Sequence, residues 1–537
     1  MRVIVGNHRS NLTDGQADEI ISNYKMTAFC IPLQVEEGVL LCHTATGELV
    51  LLDREEYREI RSGNPLKGAW AEFLAEHLFL PDKETDEHGK VDGERTESRN
   101  AAESQERITS FTILPTTCCN ARCFYCYEKD IVPKNMTLKT AEEVAVFIAR
   151  SCGGQKVHLS WFGGEPTIAV PVITRICRRL QEQKITYNSS MISNGLLLDE
   201  PMVKTAKDCW RLRRIQITID GTEPVYNAVK NYKDSLNSPF QTVLSNINYL
   251  LKQEVYVSVR INLGLHNDKD VSELIREMTE RFRGSRFISL YVHEIDNYYD
   301  APEYVKLTEL ATDFNLKLIN ENMRSAFDLP SIRFRSCMAD SESSLLINPD
   351  GQLGKCEHYS YEKLCGSIHS PWRDWAMIKE WQEPIRFPQC RSCPFYASCL
   401  PLKWCNGGNF ICNDVIVDNK VRITENTMHR LYGKWKRERY SIRNEFCFLL
   451  NYGLKVTQDE DGIRAVFFRD SQAEPVRTVS VNCTGRDILL FLQEKHTFRD
   501  IADMLHGKYD AAEFCMEDDI EECLAFLLHA GLCRTSI

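Results

Sequence analysis

The 537-residue sequence predicts an α/β fold, and three observations carry that expectation. Six apolar, strand-like runs recur at 110–114, 157–161, 189–192, 215–219, 255–261 and 287–292. Amphipathic helical stretches such as 138–149 and 268–281 fall between them, with apolar residues at helical spacing. Short polar motifs follow the runs directly. Serial β-α units imply a parallel sheet, either doubly wound or curled as a partial barrel. Active sites on such sheets lie at the C-terminal strand ends.

The chain is too long for one hydrophobic core, so several domains are expected. Residues 1–81 hold short apolar runs separated by turns and read as a small α+β domain. Residues 82–107 are almost entirely charged or polar without periodicity, which reads as a linker or disordered loop. The β-α region spans 108–325, a cysteine-rich region 326–424 and a last domain 425–537. A net charge of −11 argues against a general nucleic-acid binder. No run of about 18 apolar residues suggests a membrane span. Residues 1–15 lack the apolar core of a signal peptide, so a cytoplasmic location is expected.

Cysteine is the compositional outlier, with 22 residues crowded most densely between Cys337 and Cys412. In a reducing compartment structural disulfides are rare, and clustered cysteines point to metal. The isolated Cys30, Cys42, Cys177, Cys209 and Cys447 read instead as buried, inert thiols.

The first chemical motif closes the first strand as Thr117-Cys118-Cys119-Asn120-Ala121-Arg122-Cys123-Phe124-Tyr125-Cys126-Tyr127. Cys119, Cys123 and Cys126 are spaced Cys-x3-Cys-x2-Cys. Three thiolates on a tight loop can hold three irons of a cubane. The fourth iron then lacks a protein ligand, and an open metal position is where a reactant binds. A structural zinc site would want a fourth ligand close by. Cys118 breaks the spacing and reads as a bystander.

With that motif the sequence resembles the radical S-adenosylmethionine superfamily, and further motifs arrive at successive strand ends. The resemblance implies a partial (β/α)6 TIM-like barrel, with Tyr125 at the cofactor site. Gly163-Gly164-Glu165-Pro166 is similar to the family segment that binds the amino group of the cofactor's methionine. Ser193-Asn194-Gly195 matches a segment that meets the ribose. Asp220-Gly221-Thr222 resembles a segment common in peptide-modifying members. Arg260 and Asn262 alternate with apolar Val259 and Ile261, so both point to one face, taken as the inner one. The family precedent makes Arg260 a partner for the cofactor carboxylate. The implied chemistry is reductive cleavage of S-adenosylmethionine to a 5′-deoxyadenosyl radical that takes a hydrogen atom from substrate. No catalytic base stands out among Asp220, His293 and Glu294.

Beyond the barrel, Cys337 is followed by Gly351 and Cys356, then Cys390-x2-Cys393-x5-Cys399, Cys405 and Cys412. This looks like the twin-cluster SPASM extension. The family pattern places a cysteine where Lys403 stands, and Cys405, ahead of Asn406-Gly407-Gly408, is the nearest substitute. By matching, the outer cluster uses Cys390, Cys393, Cys399 and Cys412, and the inner one Cys337, Cys356 and Cys405. The fourth inner ligand is Cys365, or the site is open to substrate. A pair of zinc ribbons is the rival reading.

In the last domain, 453–468 and 478–481 alternate like strands. Thr484-Gly485-Arg486 opens one helix, Thr497 a second, and a third is capped near Met516 and carries Ile520, Leu524, Leu527, Leu528 and Leu532 at helical spacing. Small strands plus three helices make a winged-helix module. From residue 476 to 537 there are six Lys or Arg against eleven Asp or Glu, the wrong sign for DNA. The segment resembles the PqqD-like recognition element of peptide maturases, which takes a leader peptide as an added strand.

Together the resemblances imply a radical S-adenosylmethionine (SAM) maturase with three 4Fe-4S clusters. Its partners are a ribosomal precursor peptide and an electron donor such as flavodoxin or ferredoxin, with no nucleic acid and no membrane. A thioether from a cysteine sulfur to a backbone carbon is the expected product, since an inner cluster short of one thiolate could bind a substrate thiolate. The alternatives are a carbon–carbon crosslinking (cyclophane) maturase, a protein sulfatase activator and, from another class, a non-catalytic iron–sulfur redox regulator.

Overall fold

The computed structural model describes every residue except 7–19, 104–106, 234–237, 296–302, 325–327, 360, 371–373, 406–411, 460–461, 469–474, 482, 510–512 and 537. The expected Asn406-Gly407-Gly408 run therefore lies outside the described residues.

The N-terminal sheet has strands β1 (Arg2–Val5), β2 (Cys30–Gln34), β3 (Val39–His43) and β4 (Glu48–Leu52), in the order β1-β4-β3-β2, all antiparallel. Helices α1 (Arg54–Ser62) and α2 (Ala69–Glu76) follow. Strands β3 and β4 are buried throughout, because both sheet faces are covered. Alternate residues serve alternate faces. Val39, Leu41, Val50 and Leu52 pack with Phe73 and Leu74 of α2. Leu40, Cys42, Leu49 and Leu51 pack instead against Phe395, Met428 and Tyr432 of the distant C-terminal half.

Within 82–107, the segment expected as a charged linker, lies helix α3 (Glu87–Glu103). The helix has little amphipathic pattern, and tertiary contacts hold it, above all the buried Arg95. That guanidinium donates to the carbonyls of Arg333 (3.0 Å), Tyr396 (3.1 Å) and Ala397 (2.7 Å).

The central sheet has nine strands. Six form the expected parallel series, β5 (Ser110–Thr116), β6 (Val157–Gly163), β7 (Tyr187–Ser193), β8 (Leu212–Ile219), β9 (Tyr256–Leu263) and β10 (Ile288–Glu294), paired in sequence order. The connections carry α4 (Leu138–Ser151), α5 (Val170–Glu182), α6 (Glu200–Asp208), α7 (Glu223–Lys230), α8 (Pro239–Lys252) and α9 (Val271–Phe282), with α10 (Glu303–Asn320) after β10. Each predicted run is a strand, with its ends shifted by up to three residues. One face is apolar: the cross-strand rows Ile217, Val259, Leu290 and Ile219, Ile261, Val292 are buried among the helices. The other face is polar, with rows Gln216, Ser258, Ser289 and Thr218, Arg260, Tyr291. Burial of one large aliphatic side chain contributes about 1.5–3 kcal/mol, so the apolar face fixes the register. The polar face carries Arg260 and, at its C-terminal end, Asn262.

Past the barrel, β11 (Ser344–Ile347) adds parallel to β5, and β12 (Gln352–Gly354) and β13 (Leu364–Ser367) continue the sheet antiparallel. After α11 (Trp375–Glu380) and the cysteine-rich loops, helix α12 (Asp414–Asn444) runs 31 residues, about 46 Å at 1.5 Å per residue. The boundary placed at 424–425 falls inside this helix. Thr424, Thr427, Met428 and Tyr432 are buried at helical spacing across that point, so the helix continues through it.

The C-terminal part holds β14 (Cys447–Leu450), β15 (Gly453–Asp459), β16 (Gly462–Phe468), β17 (Pro475–Val481), α13 (Cys483–Phe491), β18 (His496–Thr497), α14 (Phe498–His506), α15 (Glu513–His529) and β19 (Cys533–Ser536). Strands β15-β16-β17 form one antiparallel sheet and β18-β14-β19 another. Thr497 caps α14, its hydroxyl accepting from Asp500 N. Ile520, Leu524, Leu527 and Leu532 are buried in a separate core that Ile442 of α12 joins, while Leu528 is half-buried. Among the described residues no helix is long and apolar enough to cross a membrane.

Candidate functional site

The 119–126 loop leaves the C-terminal end of β5 and is tied down on several sides. Arg122 N donates to Lys230 O (2.8 Å), Lys233 N to Asn120 O (2.9 Å) and Asn194 Nδ2 to Asn120 Oδ1 (2.7 Å). Burial first, then the nearby Glu165, Cys123 and Cys126, raise the Cys119 thiol to about 11. Ala121 N–H points at Cys119 Sγ at 3.4 Å. The Cys118 carbonyl accepts from Glu165 N (2.8 Å).

The two glycines after β6 serve this loop. A Cβ on Gly163 would lie 2.3 Å from Thr116 O, and one on Gly164 2.3 Å from Cys118 O. Gly163 also has φ +100, which side-chain-bearing residues rarely adopt. Close approach is thus required first of all between β6 and the cysteine loop. Glu165 is fully buried, and both carboxylate oxygens are used within the chain. Oε1 accepts from Thr167 N (3.1 Å), Thr167 Oγ1 (2.5 Å) and Ser193 Oγ (2.8 Å), and Oε2 from Asn194 N (2.8 Å). Burial raises its pKa against these bonds. The structure therefore joins Glu165, Ser193 and Asn194 into one clamp between the ends of β6 and β7.

Opposite this clamp stands a buried polar network. Asp220 Oδ1 accepts from Tyr125 Oη (2.6 Å) and Asn262 Nδ2 (2.9 Å). Its Oδ2 is 2.9 Å from Lys230 Nζ, with side chains 0% and 2% exposed. Lys230 also donates to Thr218 Oγ1 (2.8 Å). Arg260 Nε donates to Asn262 Oδ1 (2.8 Å), so both do share a face, the polar one. Burial opposes the charge on Lys230, yet Asp220, Tyr125 and Cys123 hold its pKa well above the usual lysine range. Burial and Asp220 push Tyr125 upward. His293 and Glu294 end β10 without joining this network, and His293 Nδ1 meets Glu294 O at 2.7 Å.

The later cysteines form two groups. Cys356 and Cys405 pack with Ala339, Trp381, Leu402 and Trp404. Burial raises Cys356 to about 12, with Glu357, Cys337 and Cys405 adding to it. Cys365 is buried with Leu353, Ile368 and Ile378, and it lies near enough to the buried Lys355 to act on its charge, as Cys337 does. In the second group, Cys412 is raised by burial and by Cys399, Cys390 and Cys393, while Lys420 opposes. Cys393 and Cys399 pack against the N-terminal sheet. A ring stack of Tyr127 on His358, centroids 4.1 Å apart, joins the first loop to the Cys356 loop.

The donor set fits iron–sulfur clusters. Backbone N–H groups point at Cys337 (Ala339, 3.3 Å), Cys390 (Phe387, 3.3 Å) and Cys405 (Leu402, 3.4 Å), and Lys420 Nζ lies 3.4 Å from Cys399 Sγ. Such contacts tune cluster potential. Among the described residues no three His, Cys, Asp or Glu side chains converge on a single-ion position. A cubane spreads its protein ligands over separate irons, so it needs no such convergence. The isolated cysteines differ: Cys42 and Cys177 are buried, whereas Cys30, Cys209 and Cys447 are only half-buried, since each lies at the edge of its element.

An α/β domain with thiols and a buried polar network at the C-terminal ends of its parallel strands is the class these residues define. Residues 113–278 match the radical SAM superfamily, so the chain carries a radical SAM domain. That domain implies S-adenosylmethionine and one 4Fe-4S cluster. The probable GTP 3',8-cyclase of Methanococcus vannielii is 28% identical over 144 residues, 26% of this chain and 44% of that protein. The GTP 3',8-cyclase of Staphylococcus saprophyticus is 26% identical over 226 residues, 40% of this chain and 62% of that protein. The chain thus spans about half the length of the curated relatives it matches. Among solved structures, anSMEcpe with bound AdoMet gives a TM-score of 0.48 at 17% identity, covering 60% of this chain and 98% of that one. Streptococcus suis SuiB bound to precursor peptide SuiA gives 0.42 at 13% identity, covering 73% and 99%.

Sequence reasoning missed Lys230, Arg95 and His266. Lys230 stands four residues after the buried Tyr226 on α7, and that spacing onto an apolar helix face was the available signal. His266 follows β9 and packs edge-on to Phe124, centroids 5.0 Å apart.

Proposed function

We propose that this chain is a leader-dependent radical SAM enzyme that modifies a ribosomally made precursor peptide and forms a thioether from a cysteine sulfur to a backbone carbon. Cys119, Cys123 and Cys126 hold the cofactor-binding cluster; Cys337, Cys356 and Cys405 the inner one; and Cys390, Cys393, Cys399 and Cys412 the outer one. When bound, the first cluster and S-adenosylmethionine supply the radical that abstracts hydrogen. The protein's residues position and shield. Gly163, Gly164, Glu165, Ser193 and Asn194 shape one wall of the cofactor site, and Tyr125, Asp220, Arg260 and Asn262 the other.

The observation that carries the reading is a C-terminal unit with its own core, whose sheet ends in β17 as an outer strand. Arg477 of β17 reaches Ala530 O beyond α15 at 3.4 Å, which leaves a strand edge beside a helix. An extended peptide can add to such an edge. The thioether follows from the inner group: Cys337, Cys356 and Cys405 supply three thiolates, which leaves one position for a substrate sulfur.

The likeness to GTP 3',8-cyclases favours a second reading, action on a purine nucleotide, but it covers at most 40% of the chain in the relatives above. Co-expression with any short cysteine-containing peptide encoded beside its gene decides between them. A peptide lighter by two hydrogens, with 5′-deoxyadenosine released, is the expected outcome. Conversion of GTP with no change in any such peptide would overturn the reading.

A further inference from the structure

Helix α12 is a basic element in an acidic protein. It carries eight Lys or Arg against four Asp or Glu, in a chain of net charge −11. Several of these cations are neutralised locally: Arg422 by Asp313, Lys436 by Glu37 at 2.5 Å, Arg439 by Glu521 at 3.1 Å. Lys434 and Arg437 are not. Both are exposed, and among the described residues neither has an ion-pair partner. With His429 and Arg430 they line a groove of about 670 Å³, in which Asp328 is the single carboxylate among the described residues. The far wall is the Thr46-Gly47 turn and Ser331.

The groove's apolar base leads to the outer cysteines. Leu329 and Leu431 line it and belong to the same packed cluster as Cys393 and Cys399. Helix α12 itself starts two residues beyond Cys412, and its Lys420 touches Cys399 Sγ. From Lys420 to Arg430 the helix rises about 15 Å.

We propose that this groove docks a small acidic one-electron carrier of the flavodoxin class, and that the electron enters the protein at the outer cysteine group. The proposal rests on the reading of Cys390, Cys393, Cys399 and Cys412 as cluster ligands. Redox encounters use small interfaces steered by opposite charge, and unpaired exposed cations around a shallow groove suit that better than a permanent contact. A cluster held by Cys390, Cys393, Cys399 and Cys412 would take one electron from the anionic flavin hydroquinone, which becomes the neutral semiquinone. No bond forms or breaks, and no proton moves.

The test uses anaerobically reconstituted full-length protein and flavodoxin hydroquinone, with Lys434→Glu/Arg437→Glu as the variant. Iron and sulfide content and reduction by dithionite are measured first and should match the unaltered protein. The second-order rate of flavodoxin oxidation should then fall at least about tenfold at low salt, and the difference should shrink at high salt, where the Debye length is a few ångströms. Calorimetric binding of oxidised flavodoxin should weaken in parallel without any turnover. Loaded variant that oxidises flavodoxin as fast as the unaltered protein overturns the proposal alone. So does loss of binding to a single-stranded RNA probe with flavodoxin oxidation unchanged, which would make the groove a nucleic-acid site. Protein that takes up no iron at all sinks the cluster reading, and this proposal with it.

Discussion

Tyr125 donates a 2.6 Å hydrogen bond to Asp220, whose other oxygen lies 2.9 Å from Lys230 Nζ. A residue flanked by two cysteines of the first loop is thereby fixed to the ends of β8 and α7. Both members of the ion pair are buried, so neither can fall back on water.

Asp220→Asn keeps an acceptor for Tyr125 but leaves the Lys230 ammonium unpaired. Breaking a buried pair from one side costs about 3–5 kcal/mol. Asp220→Asn/Lys230→Met removes the charge from both sides and should recover most of that loss. Urea denaturation of the four proteins in the cycle measures it. If Asp220→Asn alone is as stable as the unaltered chain, the network is not what anchors the loop.

Replacing Cys119, Cys123 and Cys126 together by alanine should remove one of three clusters, taking iron from about 12 to about 8 atoms per chain. Cleavage of S-adenosylmethionine should vanish. The groups around Cys356 and Cys412 are built on other loops and should keep their iron. Zinc in place of iron in carefully anaerobic protein would refute the cluster assignment.

The barrel was legible because its strands alternate. A buried parallel strand usually reads as a continuous apolar run. Here Gln216, Thr218, Ser258, Arg260 and Asn262 interrupt the runs with period two, which marks one face as polar. The cysteine groups were legible from spacing, since local loops hold most of each group. What stayed hidden depends on long-range contacts. Nothing near Arg95 announces that its guanidinium will meet carbonyls some 300 residues away. The charged composition around it reads as solvated chain, and only the fold reveals the one buried charge. The two covered faces of the N-terminal sheet have the same origin, because the second partner, Phe395 with Met428, lies far along the chain.

Arg95→Ala therefore tests whether α3 belongs to the outer cysteine group. The loss leaves the carbonyls of Tyr396 and Ala397, between Cys393 and Cys399, without their charged donor. Hydrogen bonds to a charged group contribute about 1.5–3 kcal/mol each, so the loop should loosen measurably. A chelator should strip iron from the outer group at least about tenfold faster, with the first cluster's spectrum unchanged. Arg95→Lys keeps the charge but not the fork, and should restore only part. Equal chelation rates in all three proteins would make α3 a bystander.

Cys365→Ser addresses the inner group. Its thiol packs with Leu353, Ile368 and Ile378, so the change swaps a buried thiol for a hydroxyl and should cost about 1–2 kcal/mol in stability. Iron content should stay the same. Loss of one cluster would make Cys365 the fourth inner ligand and remove the open position on which the thioether proposal leans.

The last prediction concerns how substrate is held. A flexible peptide loses conformational entropy when it is ordered at the barrel mouth. Docking its leader on the C-terminal sheet makes the second contact intramolecular and raises effective concentration to roughly millimolar. Ending the chain after Asn444 keeps α12 but removes everything beyond it, including Glu521, the partner of Arg439. It also uncovers Ile442, which is fully buried in the C-terminal core. Iron content and uncoupled cofactor cleavage should nevertheless stay near those of the full chain, because the three cysteine groups end at Cys412. Modification of full-length precursor should drop steeply. The cleaner variant lies in the peptide: a proline walked through the leader deletes one backbone donor at a time and leaves the enzyme untouched. At the positions that pair with β17, one lost main-chain bond plus the ring's clash should weaken binding about tenfold, or 1.4 kcal/mol. At neighbouring positions whose N–H faces away, proline should be tolerated. That alternation with period two is the signature of an added strand. A leader in which every proline is harmless, or a truncated enzyme that modifies precursor at the full rate, would show that the peptide docks elsewhere.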